Sequence, residues 1–317
     1  MNKRNWSFLA VIFIVLGFAG MAYQGFKFGD DLPSYNHKWV FDERELKSLI
    51  VDSDYNIDMT FIDSPDGTDY IEISGAMEQE TIDKLQETKL SEGTLNLQLK
   101  ENFHISFLSI NFQSSKQNIT VALAKGESLD SIVADLRSNN GYFTNLNGQN
   151  IELKTSSGNI HASSITGQEI KLKGSSGDIK ATQIKGNTTA SVTSGNIRID
   201  DVTGSLSTHT TSGNITVDQV QGFVDASGTS GNIKFSNFTG DGKFKLTSGN
   251  IKISDQRSDS LDISISSGNV SLSKDPEFQG FYDLKTTSGN IKAPESPRVT
   301  DDVIKIRATS GNIKISN

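Results

Sequence analysis

The tripeptide Ser-Gly-Asn, once as Ser-Gly-Asp, returns nine times in the second half of this 317-residue chain. Its glycines are Gly158, Gly177, Gly195, Gly213, Gly231, Gly249, Gly268, Gly289 and Gly311, separated by 19, 18, 18, 18, 18, 19, 21 and 22 residues. An almost fixed interval with alternating apolar residues between the marks is the signature of a coil stacked on copies of itself. The repeat dictates a shape and names no reaction.

The pattern inside each repeat says how the coil bends. Counting from the Asn (or Asp178) as position zero, the apolar residues of one coil are Ile197, Ile199, Val202 and Leu206; those of the next are Ile215, Val217, Val220, Val224 and Ala226. Along a strand the inward side keeps one parity, so odd positions one and three followed by even positions six, ten and twelve mean that the chain has turned. Gly occupies position eight in five consecutive coils, at Gly167, Gly186, Gly204, Gly222 and Gly240. Parity switches back across Gly-Asn. The fold expected is all-β: a two-faced β-solenoid with two corners per coil of about 18 residues.

Corner chemistry follows from the turn. Gly supplies positive φ without a Cβ clash, Ser bonds nearby backbone, and Asn tolerates the left-handed region. Stacked about 4.8 Å apart, successive Asn amides are placed to bond one another in a ladder. The nine repeat glycines are therefore read as structural corners. One coil cannot bury enough apolar surface to offset its own ordering, so stability belongs to the array and its ends need closing.

The front of the chain is less regular. Residues 1–150 hold 12 basic and 21 acidic residues, a net charge of −9, whereas residues 151–317 hold 18 and 17, a net charge of +1. Neither balance suits a nucleic-acid binder. The chain has no cysteine, which excludes disulfides and thiolate chemistry. Lys3 and Arg4 precede an uncharged, mostly apolar run over residues 6–23, whose helical length approaches the bilayer core. Basic residues stay inside, so the expectation is a single-pass cell-membrane protein with its C-terminal part outside. A signal peptide cut after Ala22 is the other reading.

The organisation expected is a cytoplasmic tip and transmembrane anchor over 1–23, a linker over 24–44, a β-rich cap over 45–137 and the repeat solenoid over 138–317. Strand patterns mark Leu46–Val51, Ile57–Ile62, Tyr70–Ser74, Thr94–Lys100, Ile105–Phe112 and Asn118–Leu123, with a short helix over Met77–Thr88. Asp54-Tyr55-Asn56-Ile57 and Ser138-Asn139-Asn140-Gly141 read as degenerate copies of the corner, so the solenoid can begin before its clean repeats. At the other end the chain stops right after the strand Ile313–Ser316. An open edge there invites a partner or self-association unless irregular late coils fold over it. Those late coils lengthen the second corner at 255–260, 274–280 and 293–302; a binding edge and simple loop drift both explain this.

Position two points outward and holds His161, Lys180, Arg198, Thr216, Lys234, Lys252, Ser271, Lys292 and Lys314. Stacked like charges repel, and the row contains no carboxylate. It suits an anionic polymer; alternatively its charges keep the strands soluble and are offset by acids in adjacent rows such as Asp200 and Asp218. Catalytic signals are weak. Asp200 with Asp201 and Asp301 with Asp302 are the adjacent acid pairs of the clean repeats, without a histidine at a catalytic spacing. His37, His104, His161 and His209 are widely spread, and no nucleophile elbow, phosphate loop or zinc motif occurs. No catalytic, metal or cofactor residue is assigned.

The apolar N-terminal segment, the lead-in ending Asn118-Ile119-Thr120-Val121-Ala122-Leu123-Ala124-Lys125-Gly126 and the repeated Thr-Ser-Gly-Asn-Ile together resemble the bacterial putative-adhesin β-strand repeat family. The likeness covers about residues 45–317 and the anchor, and departs at Ala124, where such proteins often carry Pro. It implies a Gram-positive, membrane-anchored protein facing the cell wall and linked to envelope stress, with no catalytic residues to carry over. The function expected is a structural or interaction protein meeting an envelope polymer or a membrane partner; the alternative is a carbohydrate-active enzyme on a β-helix scaffold.

Overall fold

The computed structural model describes residues 13–17, 32–100 and 115–316. The front contains β1 (Ser34–Phe41), β2 (Ser48–Ser53), β3 (Asn56–Asp63), β4 (Asp69–Ala76), α1 (Gln79–Glu87), β5 (Thr94–Leu99), β6 (Lys116–Leu123), β7 (Leu129–Asp135) and β8 (Gly141–Thr144). The clean repeats form β9 (Asn147–Thr155), β10 (Ile160–Ser176), β11 (Ile179–Ser194), β12 (Ile197–Thr203), β13 (Leu206–Ser212), β14 (Ile215–Gln221), β15 (Val224–Thr239) and β16 (Gly242–Arg257). The last part comprises β17 (Leu261–Ser267), β18 (Val270–Ser273), β19 (Phe281–Ser288), β20 (Ile291–Lys292), β21 (Val303–Ser310) and β22 (Ile313–Ser316).

Apart from β1 and β4, these strands stack in parallel along two faces around one apolar interior. On the first face β12, β14, the second half of β15 and the second half of β16 pair in succession. On the second, β13, the first half of β15, the first half of β16 and β17 do the same. Inward residues such as Ile197, Val202, Leu206, Val217 and Val224 are fully buried. The parity switch lies at position five, where Ser164, Gln183, Asp201, Gln219, Asn237 and Asp255 all take left-handed φ of 50–60°. One left-handed residue flips the side-chain phase without breaking the strand, as in a bulge, so the second corner starts three residues before the glycine that marks it in sequence.

The order of windings departs from the order of sequence at both ends. At the front, β2 pairs with β5 on one side and β7 on the other, and β3 with β6 and β8. The β2–β3 winding is therefore enclosed by two that follow it in the chain. At the back, β21 lies between β17 and β19, and β22 between β18 and β20. The last winding is thus inserted one place in from the end. This corrects the expected open edge at Ile313–Ser316: the strands at that end of the stack are β19 and β20.

Two further expectations change. Residues 24–44 were expected to be a linker, yet β1 runs through them, pairing antiparallel with β4, which pairs antiparallel with β6. Its inward side carries Tyr35, His37, Trp39 and Phe41, with the Tyr35 and His37 rings stacked at 6.0 Å. The 45–137 segment, besides closing elements, supplies windings of the same stack. Helix α1 buries Thr81, Ile82 and Leu85 beside β5 and carries a Lys84–Glu80 pair at 2.7 Å. The strand expected at Ile105–Phe112 lies outside the described residues, as does the anchor expected over 6–23 apart from helical residues 13–17. No helix among the described residues is long and apolar enough to cross a membrane.

Candidate functional site

The first corner is built from stacked backbone. At Gly213 the φ is +147°, and a Cβ added there would run into the carbonyl oxygen of Gly195 in the winding beneath. The same obstruction recurs up the column, so the position excludes every other residue. Beside it the Asn amides form a ladder. Asn214 Nδ2 donates to Asn196 Oδ1 at 3.0 Å, Asn232 to Asn214 at 3.0 Å, Asn250 to Asn232 at 3.1 Å and Asn269 to Asn250 at 3.2 Å. The inserted winding takes its place in the same series: Asn312 donates to Asn269, and the Asn290 backbone N–H donates to Asn312 Oδ1. At the front, Asn140 donates to Asn56 and Asn159 to Asn140, so the two degenerate corners are real members of the column. Asp178 interrupts it, lacking a side-chain donor, although its carboxylate accepts from Asn196 at 3.1 Å.

The position-two residues stand directly beside this ladder. His161 is in register with Lys180, Lys180 with Arg198, Arg198 with Thr216, and Thr216 with Lys234. Lys234 then faces Lys252, Lys252 faces Ser271, Ser271 faces Lys314, and Lys314 faces Lys292. All nine lie in one file, with Lys180, Arg198, Lys234, Lys252, Lys314 and Lys292 exposed. His161 heads the file, its ring stacked on Tyr142 at 4.9 Å. Burial first, then the Lys180 charge, lowers its pKa against a raising effect of Asp178, so it is neutral at pH 7.

Compensation of these charges is local and small. Arg198 pairs with Asp200 at 3.4 Å. Asp218 instead accepts from Ser236 Oγ and Asn237 Nδ2, each at 2.8 Å, and these bonds hold its pKa below the usual carboxylate range. Among the described residues, Lys180, Lys234, Lys252, Lys292 and Lys314 form no ion pair within 4.0 Å. The second face treats charge differently. There Asp225, Lys243, Asp262, Lys305 and Asp283 alternate in register along one file. The same fold thus neutralises one row and leaves the other cationic. Between the ladder and the cations runs a groove of about 420 Å³, lined by His161, Asp178, Lys180, Asn196, Arg198 and Thr216 among others.

The remaining sequence candidates are not brought together. His209 is on the second face, its Nδ1 3.0 Å from Ser227 Oγ, while His161 is on the first. His37 packs on Trp39 at 4.4 Å in β1, and His104 lies outside the described residues. Asp201 is a left-handed corner residue, and Asp302 accepts from Thr300 Oγ1 at 2.6 Å. Among the described residues no three His, Asp or Glu side chains are grouped to hold a metal ion. What sequence reasoning missed is the alternating file on the second face, because it alternates only once the inserted winding is placed.

No curated protein matches the chain. Among solved structures, a putative adhesin from Parabacteroides merdae ATCC 43184 is 14% identical over 89% of this chain and 96% of that one, with a TM-score of 0.46. Another from Parabacteroides distasonis ATCC 8503 is 13% identical over 89% and 97%, with a TM-score of 0.48. No residue role is transferred from either. The Toastrack family DUF4097 matches residues 46–237 and, overlapping, 187–316, together nearly the whole described solenoid. The chain belongs to the Toastrack DUF4097 family.

Proposed function

We propose that this protein is a structural or interaction module of the cell envelope that binds an anionic polymer along its position-two row. The observation that carries the reading is a contrast in pairing: on the second face Asp and Lys alternate along one file and the neighbouring basic file is paired with acids at Lys154–Asp135, Lys173–Glu152 and Arg307–Asp283, while of six permanent cations sharing a file on the first only Arg198 has an ion pair among the described residues. Repulsion between neighbours about 5 Å apart makes such a file unfavourable by itself. A linear polyanion lying along the solenoid axis would relieve it. A file one side chain wide favours a strand-like partner over a plane of lipid headgroups.

Anchoring through residues 6–23, with the solenoid outside, is part of the same proposal and rests on the apolar run behind Lys3 and Arg4. The finer likeness of the lead-in and repeats to LiaG-like proteins of a Bacillus envelope-stress operon supports a role in envelope stress. Self-association through β19 and β20 is a further route to contact, since among the described residues each pairs on one side only.

The test is binding of lipoteichoic acid or wall teichoic acid by the full chain in detergent. Each lysine near an anionic surface is worth about 1 kcal/mol, so Lys234→Glu with Lys252→Glu is expected to weaken binding at least about tenfold and to reduce its salt dependence. Salt-insensitive binding unchanged by the double reversal would end the polyanion reading. Glycan cleavage abolished by Asp200→Asn or Asp301→Asn would support the carbohydrate-active alternative instead.

A further inference from the structure

The step from β6 to β7 leaves a second, separate surface. Because β6 must reach β7 across the level of β3, and β3 itself departs to β4, the second corner is missing at that winding. Residues 124–128 bridge the gap, and beside them lies an open groove of about 630 Å³. That volume is within the range of small-molecule sites, and a break in regular topology is where α/β sheets place ligands too. The groove is at the second corner, across the first face from the cation row, so the two surfaces are independent.

Its lining is apolar below and hydrogen-bonding above. Phe61, Leu123 and Leu146 are buried and form the floor, while Asn145, Asn147 and Thr166 supply amides and a hydroxyl at the rim. Two carboxylates, Asp63 and Glu127, line it, and among the described residues no lysine or arginine does. Behind Glu127 is Asp69, at 3% exposure. Asp69 Oδ1 accepts the Ala124 N–H at 2.7 Å, and among the described residues its buried Oδ2 has no donor other than a protonated Glu127 carboxyl. Arg44 approaches Glu127 at 3.4 Å from solvent, its side chain 80% exposed. Burial foremost, then the Asp69 charge and a hydrogen bond shared with its carboxyl, raises the Glu127 pKa, with Arg44 opposing. Two acids in a half-closed site with one long, solvent-exposed counter-charge leave a place for a donor-rich cation.

We propose that this groove binds a small polyhydroxylated ligand bearing a protonated amine, an amino sugar, with the Glu127 carboxylate, backed by Asp69, receiving the ammonium. The sugar ring rests on the apolar floor and its hydroxyls meet Asn145, Asn147 and Thr166. The ammonium supplies the positive charge that Arg44 provides incompletely, and the site excludes an N-acetylated sugar, whose amide carries no charge.

Titration calorimetry of the full chain in detergent with the glucosamine tetramer, against the N,N′-acetylated tetramer, tests this. The glucosamine tetramer is expected to bind at least about tenfold more tightly, since a charge-assisted bond is worth roughly 1.5–3 kcal/mol. Glu127→Gln should erase that preference. Thr166→Trp, which fills the groove and leaves both acids in place, should abolish binding with the fold intact by circular dichroism. Glu92→Gln, a charge loss at an exposed turn, should change nothing. Equal binding of both tetramers, no binding of either, or equal loss in Glu92→Gln and Glu127→Gln would overturn the proposal.

Discussion

The Asn at position zero does two jobs with one amide. Its Oδ1 accepts both the backbone N–H and the Nδ2 of the next Asn, as Asn232 does for Asn250 at 3.2 and 3.1 Å, while its own Nδ2 donates to the winding before. Asp keeps the accepting half of this role and loses the donating half, as Asp178 already shows. Asn232→Ala is therefore expected to lower stability by about 1–3 kcal/mol, leaving both Asn250 donors without their acceptor and Asn214 Oδ1 with only the Asn232 backbone N–H. Asn232→Asp should cost less at neutral pH. Urea denaturation midpoints of the two variants check the order; an Asp variant as weak as the Ala variant would contradict the ladder's directionality.

Windings are the elements, and charge explains how the out-of-order ones are seated. Lys305 of the inserted last winding sits between Asp262 and Asp283; in sequence order those two acids would face each other. Arg307 also pairs with Asp283 and donates to its carbonyl at 2.7 Å. At the front the signs reverse. Asp52 of the enclosed winding meets Lys100 on one side and Arg137, at 3.4 Å, on the other, and Asp58 meets Lys116. Because β19 and β20 pair, among the described residues, only with β21 and β22, a chain ending at residue 302 should lose protection over Phe281–Lys292 as well. Hydrogen exchange measures this, and a synthetic peptide of residues 303–317 should restore it. Unchanged protection of β19 in the truncated chain would show that it is held by something other than β21.

At the scale of the whole molecule, acid should loosen the stack throughout its length. Glu152, Asp218 and Asp283 all have lowered pKa values, through Lys173, through Ser236 and Asn237, and through Arg307. A carboxyl with a depressed folded pKa stabilises fully above its unfolded value and loses that contribution as pH falls through the folded one. Glu127 has the opposite sign, but it is one group near one end. Melting temperature is thus expected to hold near neutrality and fall below the ordinary carboxylate range, with Asp218→Asn showing a smaller fall. A melting temperature flat from pH 6 to pH 3 would contradict this.

Much of this architecture was legible in the linear chain because its determinants are local and periodic. Apolar parity defines two faces, a glycine with no room for a Cβ defines the first corner, and a constant offset places Lys234 beside Lys252 whatever lies at the ends. The aromatic alternation of Tyr35, His37, Trp39 and Phe41 was also available, though a neighbouring polar and Pro-containing stretch disguised it as linker. Winding order was not legible. Every rung of a parallel solenoid presents the same hydrogen-bonding edge, so the backbone accepts any neighbour, and long segments such as 274–280 and 293–302 permit a step past one winding or back again. The tertiary structure alone decided that order, through non-local charge pairs and closure of the ends. With it came the alternating file of the second face, and the missing corner that opens the groove at Glu127.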